Sequence, residues 1–420
     1  MPNRRNFLRS ALAAPLFTSA SEAQQLALPA RPAKLNEAAY WSMVRDQFSM
    51  ARDKVFFNNG TVGAMPKPVV DRMVAEIHRM ATDVAEWDYR GTEWIGGYGD
   101  YPEIRGKVAK LINANEKEIS LTENNTCSMS YLAAGIDLPP NSEILITDQE
   151  HPGGQSPWLN AAKRHGGTVV KAAIPKPAHS SEEMFEIVQK AITPRTRVIA
   201  ISHMISASGA ILPVREICGE ARKRGIFTVL DGAQTAGHIA IDVKDIGCDA
   251  YVSCFHKWLM APAGNGFLYL RAERNKEVWP TMCNGNFENQ TDNGYRLSQR
   301  GTGSLPVLMG ADAAMDFHFQ IGPERVQQRI KYLGDYLRDG LRGIPKVKLY
   351  TPSDPKINAG ITVYGIDGYN GAQLQDEMWN RARLRPRSSA GIALRQSTHI
   401  FNSPEEIDRT LRVVRELAKA

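Results

Sequence analysis

An α/β fold with a mostly parallel sheet, followed by a smaller α+β domain, is predicted by three features of this sequence. Between residues 100 and 271, apolar β-branched strands alternate with helical stretches, the pattern of right-handed strand–helix–strand crossovers. Two strands end abruptly on reactive groups: Ile226-Phe-Thr-Val-Leu-Asp231-Gly-Ala-Gln234, and Asp249-Ala-Tyr-Val-Ser-Cys-Phe-His256-Lys257-Trp258-Leu259. After about residue 275 the regular alternation stops, and helices mix with short strands.

A buried strand has no use for a lysine at its end unless the amine does something. In open α/β sheets, ligands sit outside the carboxyl ends of the strands. Taken singly, Asp231 and Lys257 read as polar groups ending core strands. Taken together, they suit a cofactor that needs an anionic partner at one atom and an amine at another. Pyridoxal phosphate (PLP) fits: its pyridinium nitrogen wants a carboxylate, and its aldehyde forms a Schiff base with lysine.

The 420 residues suffice for a large core and about two domains. With 43% hydrophobic and 23% charged residues, the composition is that of a soluble globular protein. The net charge of +6 comes without the dense basic run or basic–aromatic pattern that nucleic-acid binding needs. Cys127, Cys218, Cys248, Cys254 and Cys283 form neither a CxxC nor a metal-ligand spacing, and their odd number argues against a complete disulfide framework.

At the start, Asn3-Arg4-Arg5-Asn6-Phe7-Leu8-Arg9 resembles a twin-arginine export signal. The apolar stretch Ala11 to Ala20 is too short to span a bilayer. We therefore expect a leader over 1–23, cleavage near Ala23, no stable membrane anchor, and export of an already folded, cofactor-loaded protein to the periplasm. The other expected divisions are an N-terminal segment at 24–66, a large domain at 67–275 and a small domain at 276–420.

Along the chain, a helix is expected from Glu37 to Met50, then a short strand entering the turn Asn58-Asn59-Gly60, where backbone can approach a ligand closely. A helix from Lys67 to about Asp83 precedes an aromatic, Gly-rich loop, Trp87 to Tyr101, that reads equally as packing or as a substrate rim. After the helix Glu103 to Asn113, the strand from Ile119 runs into a helix opened by Asn125 and Thr126. That start is an anion site for the cofactor phosphate, although simple capping looks the same in sequence. The strand from Glu143 ends at His151, a flat ring placed to stack on the pyridine or merely to cap a helix.

Strands follow at Thr168 to Ile174, Arg197 to His203 and Gly266 to Leu270. Ser180 and Glu183 form a capping box, and Gly225 closes the helix Val214 to Arg224. The small domain holds helices Pro306 to Phe319, Pro323 to Leu341 and Ala372 to Asn380, strands near Val347 to Tyr350, Ile357 to Tyr364 and Ala393 to Arg395, and a last helix from Ser403.

Phe57-Asn58-Asn59-Gly60-Thr61, Asp148-Gln149-Glu150-His151-Pro152 and His256-Lys257-Trp258-Leu259 together resemble the class V aminotransferase family of fold-type I PLP enzymes, across about 50 to 415. Within it, the isopenicillin N epimerase-like enzymes are similar. The resemblance implies a seven-stranded, mostly parallel sheet. It implies that Lys257 carries the cofactor, that Asp231 pairs with its ring nitrogen, that Gln234 bonds the ring hydroxyl and that His151 stacks on the ring. Asn125, Thr126, Cys254 and His256 would hold the phosphate, with Ser253 an alternative to Cys254. Thr302, beside Gly301, would reach the phosphate of a neighbouring subunit in a homodimer. Arg395 would grip a substrate carboxylate, which a guanidinium fork suits better than a lysine. Asn59 would approach the substrate. The family asparagine after the strand-end histidine is absent: His203 is followed by Met204, Ile205 and Ser206.

The resemblance thus implies an enzyme acting at the α-carbon of an amino acid or peptide-like amine, by epimerisation, transamination or elimination. A siderophore or other peptide natural product would be a reasonable periplasmic substrate. Cysteine desulfurases carry a nucleophilic cysteine shortly before the carboxylate-binding arginine. The segment Arg385 to Ala393 has none, which argues against persulfide chemistry of that kind. The cluster Arg381, Arg383, Arg385 and Arg387 reads first as a solvated edge, and second as a binder of acidic substrate. Two other classes are weighed. Intact Lys257, Asp231 and Arg395 argue against a PLP-fold binding protein without turnover. A metal hydrolase using His151, His203, His256 and Asp231 lacks any HExxH motif.

Overall fold

The structure is a computed structural model that describes residues 36–86, 99–299, 301–389 and 391–419. The twin-arginine stretch, residues 87–98 of the aromatic loop and Arg300 lie outside the described residues.

Helix α1 (Glu37–Arg45) ends earlier than expected, because Phe48 turns into the core against Phe317 and Phe401. Strand β1 (Val55–Phe56) and helices α2 (Lys67–Thr82) and α3 (Pro102–Ile112) follow. Seven strands then form one sheet: β2 (Ile119–Thr122), β3 (Glu143–Thr147), β4 (Thr168–Ala172), β5 (Thr196–Ser202), β6 (Phe227–Asp231), β7 (Ala250–Cys254) and β8 (Gly266–Leu270). Their order is β2-β8-β7-β6-β5-β3-β4, and β8 alone runs against its neighbours.

The central strands are buried on both faces, as parallel strands covered by crossover helices must be. Alternate residues feed two cores. Leu145, Ile199, Leu230 and Tyr251 point to one; Ile144, Ile146, Val198, Val229 and Val252 point to the other. From β3 the chain steps outward to β4, then returns to the other side of β3 as β5. That reversal opens a crevice at the carboxyl ends of β3 and β5. Helices α4 (Asn125–Gly135) and α5 (Pro152–His165) start beside it.

Helices α6 (Ser181–Ala191), α7 (Val214–Lys223) and α8 (Val243–Ile246) connect β4 to β5, β5 to β6 and β6 to β7; beyond the sheet, α9 (Asn293–Leu297), α10 (Leu305–Ile321) and α11 (Pro323–Leu341) lead to a second, antiparallel sheet. Its strands are β9 (Val347–Leu349), β10 (Ile361–Ile366), β12 (Arg387–Ser389) and β13 (Ala393–Ser397), in the order β12-β13-β10-β9. The run expected to start a strand at Ile357 instead forms a tight turn at Pro355–Ile357 and extends only from Ile361. Strand β11 (Leu384–Arg385) pairs in parallel with β1. Neither β11 nor β12 was expected, because their Arg- and Ser-rich residues carry no strand propensity. Helices α12 (Gly371–Ala382) and α13 (Pro404–Lys419) cover this sheet. Among the described residues, no helix is long and apolar enough to cross a membrane.

Candidate active site

A cavity of about 510 Å³ opens at the carboxyl ends of the large sheet. Asp231, the last residue of β6, is buried at its floor. Its Oδ2 accepts from Asn125 Nδ2 at 2.9 Å, and its Oδ1 from the backbone N–H of Ala233 at 2.9 Å. A Cβ on Gly154 would stand 2.8 Å from Oδ2, so only glycine lets the first turn of α5 lie this close to the acid.

Lys257 lines the same cavity. The turn after β1 grips its backbone: Asn59 Nδ2 donates to the Lys257 carbonyl at 3.1 Å, and the Gly63 N–H to the His256 carbonyl at 2.6 Å. A Cβ on Gly63 would stand 2.2 Å from the Lys257 carbonyl oxygen. Asn59 is fully buried and does not line the cavity. It was expected at the substrate; the structure makes it a support for the lysine, while its neighbours Gly60 and Thr61 reach the cavity.

Asn125 and Thr126 form the start of α4 on the cavity wall. Asn124 caps the helix through the Cys127 N–H at 3.0 Å, which leaves the Asn125 side chain free for Asp231. Cys254 lines the cavity, whereas Ser253 Oγ turns away to the Gly232 carbonyl at 2.8 Å. Adjacent residues of a strand face opposite sides, and this settles which of the two meets the cavity.

The capping of α5 expected of His151 is present, its Nδ1 accepting from the Gly153 N–H at 3.1 Å, and its ring also faces the cavity. Partial burial, then the Lys257 charge, hold its pKa below the usual imidazole range. The same two causes push His256 down to about 4, so it meets the cavity as a neutral ring. Gln234 Oε1 accepts the Trp258 indole N–H at 2.8 Å, which turns the amide nitrogen toward the Gly60 carbonyl at 3.0 Å and Ser206.

Arg395 projects from β13 and is almost fully buried. It donates to Thr61 Oγ1 at 2.7 Å, Asn58 Oδ1 at 3.2 Å and Ser206 Oγ. Burial, then Arg387 beside it, lower its pKa to about 10, which still leaves it cationic at neutral pH. Thr302 does not line this cavity. It borders a separate, smaller hollow of about 130 Å³ with Glu123 and Asn265, and Gly264 lines both.

Three groups escaped the sequence reading. Ser206 lines the cavity where the family asparagine is absent. Arg387, read first as a solvated edge, lines the mouth. Glu150 is buried behind Asp231, bonded by Ser202 and Thr147, and burial raises its carboxyl pKa to about 7. Its position directly before His151 was the only available signal.

The residues fit PLP. Asn125 Oδ1, His256 Nδ1 and Arg395 Nε are buried polar atoms without a partner among the described residues, waiting for a polar ligand. Among the described residues, no group of three or more His, Cys, Asp or Glu is placed to hold a metal ion.

The Aminotransferase class-V family model matches residues 55–409. The chain belongs to the class-V aminotransferase family. It is a PLP-dependent enzyme of fold-type I. An isopenicillin N epimerase of Amycolatopsis lactamdurans is 31% identical over 409 residues, covering 91% of this chain and 100% of the relative. A probable cysteine desulfurase of Halalkalibacterium halodurans is 28% identical, covering 77% of this chain and 80% of the relative. Among solved structures, the cystine C–S lyase C-DES with its product cysteine persulfide is 25% identical, with a TM-score of 0.77 over 86% of this chain and 98% of that one. A variant of C-DES carries glycine covalently linked to its PLP cofactor, with 25% identity and a TM-score of 0.78 over 88% of this chain and 98% of that one. In this class-V enzyme, the matched span includes both sheets and every lining residue discussed above.

Proposed function

We propose that this class-V enzyme acts at the α-carbon of an amino acid or peptide-like amine, with epimerase-type proton transfer as the leading reaction. The observation that carries this reading is one cavity holding Lys257, Asp231 and Arg395 together. Bound PLP supplies an electron sink that acidifies the hydrogen on the amine-bearing carbon. Asp231 would hold the ring nitrogen, with Asn125 orienting its carboxylate. Asn125, Thr126 and the neutral His256 would hold the phosphate at the start of α4. His151 would lie against the ring, and the Gln234 amide nitrogen would meet the ring hydroxyl. Arg395 binds a carboxylate and so aims the α-hydrogen at Lys257. The lysine amine, free once substrate is bound, takes that proton. Epimerisation needs removal of the proton from one face of the α-carbon and delivery of a proton to the opposite face, so Lys257 covers one of the two transfers and the other draws on a second donor such as water.

Coverage of the full length of an isopenicillin N epimerase supports this reading. The C–S lyase and desulfurase relatives favour a second one, elimination at the β-carbon. Cys254, a cysteine that lines the cavity, has its pKa raised by burial and meets it as a thiol, which argues against a persulfide-carrying thiolate there. Mass spectrometry after incubating holoenzyme in deuterated water with amino acids and peptides decides between the readings. A product of the substrate's composition that carries α-deuterium and inverted configuration on chiral chromatography supports epimerisation; a keto acid, or pyruvate with ammonia, overturns it.

A homodimer is part of the proposal. Val70, Val74 and Ile77 follow helical spacing along one face of α2 and are 39%, 46% and 53% exposed. Thr302 would then serve the neighbouring subunit. Light scattering on a sizing column tests the mass. Export through the twin-arginine pathway also stays a proposal, supported by Arg4-Arg5 and the apolar stretch behind them, and tested by cell fractionation.

A further inference from the structure

Strands β12 and β13 place Arg387 directly opposite Arg395 in antiparallel register. Such partners share one face of a sheet with Cβ atoms about 5 Å apart, and like charges placed so repel. Nothing described neutralises them. The side-chain partners of the pair are the neutral oxygens of Thr61, Asn58 and Ser206, with Thr61 Oγ1 shared: 3.0 Å from Arg387 and 2.7 Å from Arg395.

The other arginines of the cluster are accounted for. Arg381 pairs with Glu377 and Glu416, while Arg383 and Arg385 lie over the Trp379 ring at 5.3 and 4.0 Å. A like-charged pair kept unneutralised inside a cavity breaks a rule of sheet stability, and such breaks mark functional sites.

Donor counting separates the two members. A guanidinium has five N–H donors. Arg395 gives three to Ser206, Asn58 and Thr61 through its two terminal nitrogens, which leaves one terminal N–H and the Nε–H for a ligand oxygen. One of the remaining donors is Nε, buried without a partner. Arg387 gives one to Thr61, keeps four, and is exposed at the mouth.

We propose that the substrate carries two anionic groups: a carboxylate held in depth by Arg395, and a second carboxylate at the far end held at the mouth by Arg387. The substrate class is an amino dicarboxylate, or an amine whose peptide-like arm ends in a carboxylate. This rests on the reading of Arg395 as a carboxylate site.

The test uses holoenzyme and two unreactive ligands of equal length, glutarate and pentanoate, titrated by calorimetry. Wild type binds glutarate more tightly. Arg387→Gln weakens glutarate about fivefold, the upper end for an exposed charge pair, and leaves pentanoate unchanged. Arg387→Lys recovers part of the glutarate affinity, and the control Arg381→Gln changes neither ligand. If Arg387→Gln weakens both ligands equally, the two arginines share one carboxylate and the proposal falls; it falls too if neither ligand responds. Arg395→Gln keeps the parent reading separate. A variant that binds both ligands normally overturns that reading and this one with it. A variant that loses both, beside an unselective Arg387→Gln, overturns this one alone.

Discussion

The two sheets contribute to the cavity in different ways. The large parallel sheet delivers Asp231 from the last paired residue of β6 and Lys257 from just beyond the end of β7, where side chains turn into the crevice. The small antiparallel sheet delivers Arg387 and Arg395 from the face of its strands, directly opposite each other. A strand end is fixed by the whole sheet behind it; a strand face is tuned by one substitution. The first arrangement suits unchanging cofactor chemistry and the second suits substrate choice.

Variants can break this division, beginning with the largest effect. Lys257→Ala should remove the visible absorbance of lysine-linked cofactor and lower kcat about a thousandfold, the scale of a lost general base. Asp231→Asn should lower kcat about a hundredfold, as loss of one preorganised electrostatic partner does. Arg395→Gln should raise KM about thirtyfold, about 2 kcal/mol for a buried charge contact, with the absorbance band intact. If that variant loses the band instead, the small sheet holds cofactor and the division fails. Asn59→Ala should lower thermal stability by about 1 kcal/mol, because it removes one of the two donors to the Lys257 carbonyl and leaves only the Met260 N–H. Calorimetry checks the stability, and a kcat that falls at unchanged KM would place Asn59 with the large sheet.

The seam between the sheets gives the smallest effect. His238 Nδ1 donates to the Gln234 carbonyl at 2.8 Å and its Nε2 accepts from the Gly360 N–H at 2.8 Å, so the neutral ring joins one sheet to the other. Burial pushes His238 and His399 down to about 3, and His203 and His318 to about 4, from an ordinary 6.5. Their contribution to stability is therefore complete above pH 6.5 and lost as pH falls through 4 toward 3. Glu150 opposes them: its raised pKa favours the folded state below the ordinary carboxyl value, a contribution lost as pH rises through about 7. Four histidines outweigh one acid, so melting temperature should drop on acidification. His318→Leu should recover about 2 °C of that drop.

The same contrast explains what the sequence disclosed. Asp231 and Lys257 were legible because a polar group closing an apolar run breaks a local pattern. So were most helices of the small domain, where periodicity and Pro or Gly mark the ends; Pro323–Leu341 appears as read. Arg387 was not legible, because four arginines in alternation look alike until register puts one opposite Arg395. Asn59 was misplaced because the direction of its side chain depends on a carbonyl at position 257, which no local rule reports. Glu150 was hidden by its neighbour: His151 drew the chemistry, and only the fold shows the carboxylate behind Asp231.

The pairing of β1 with β11 bears on how the molecule is made. Asn402 Nδ2 also donates to the Phe56 carbonyl, 346 positions away. Contacts of such separation form slowly. During synthesis, the segment that clamps the lysine must wait for residues 384–402 to leave the ribosome. A nascent chain can complete the large sheet early and still lack a finished catalytic pocket, so competence to turn over substrate arrives only once the small sheet has formed.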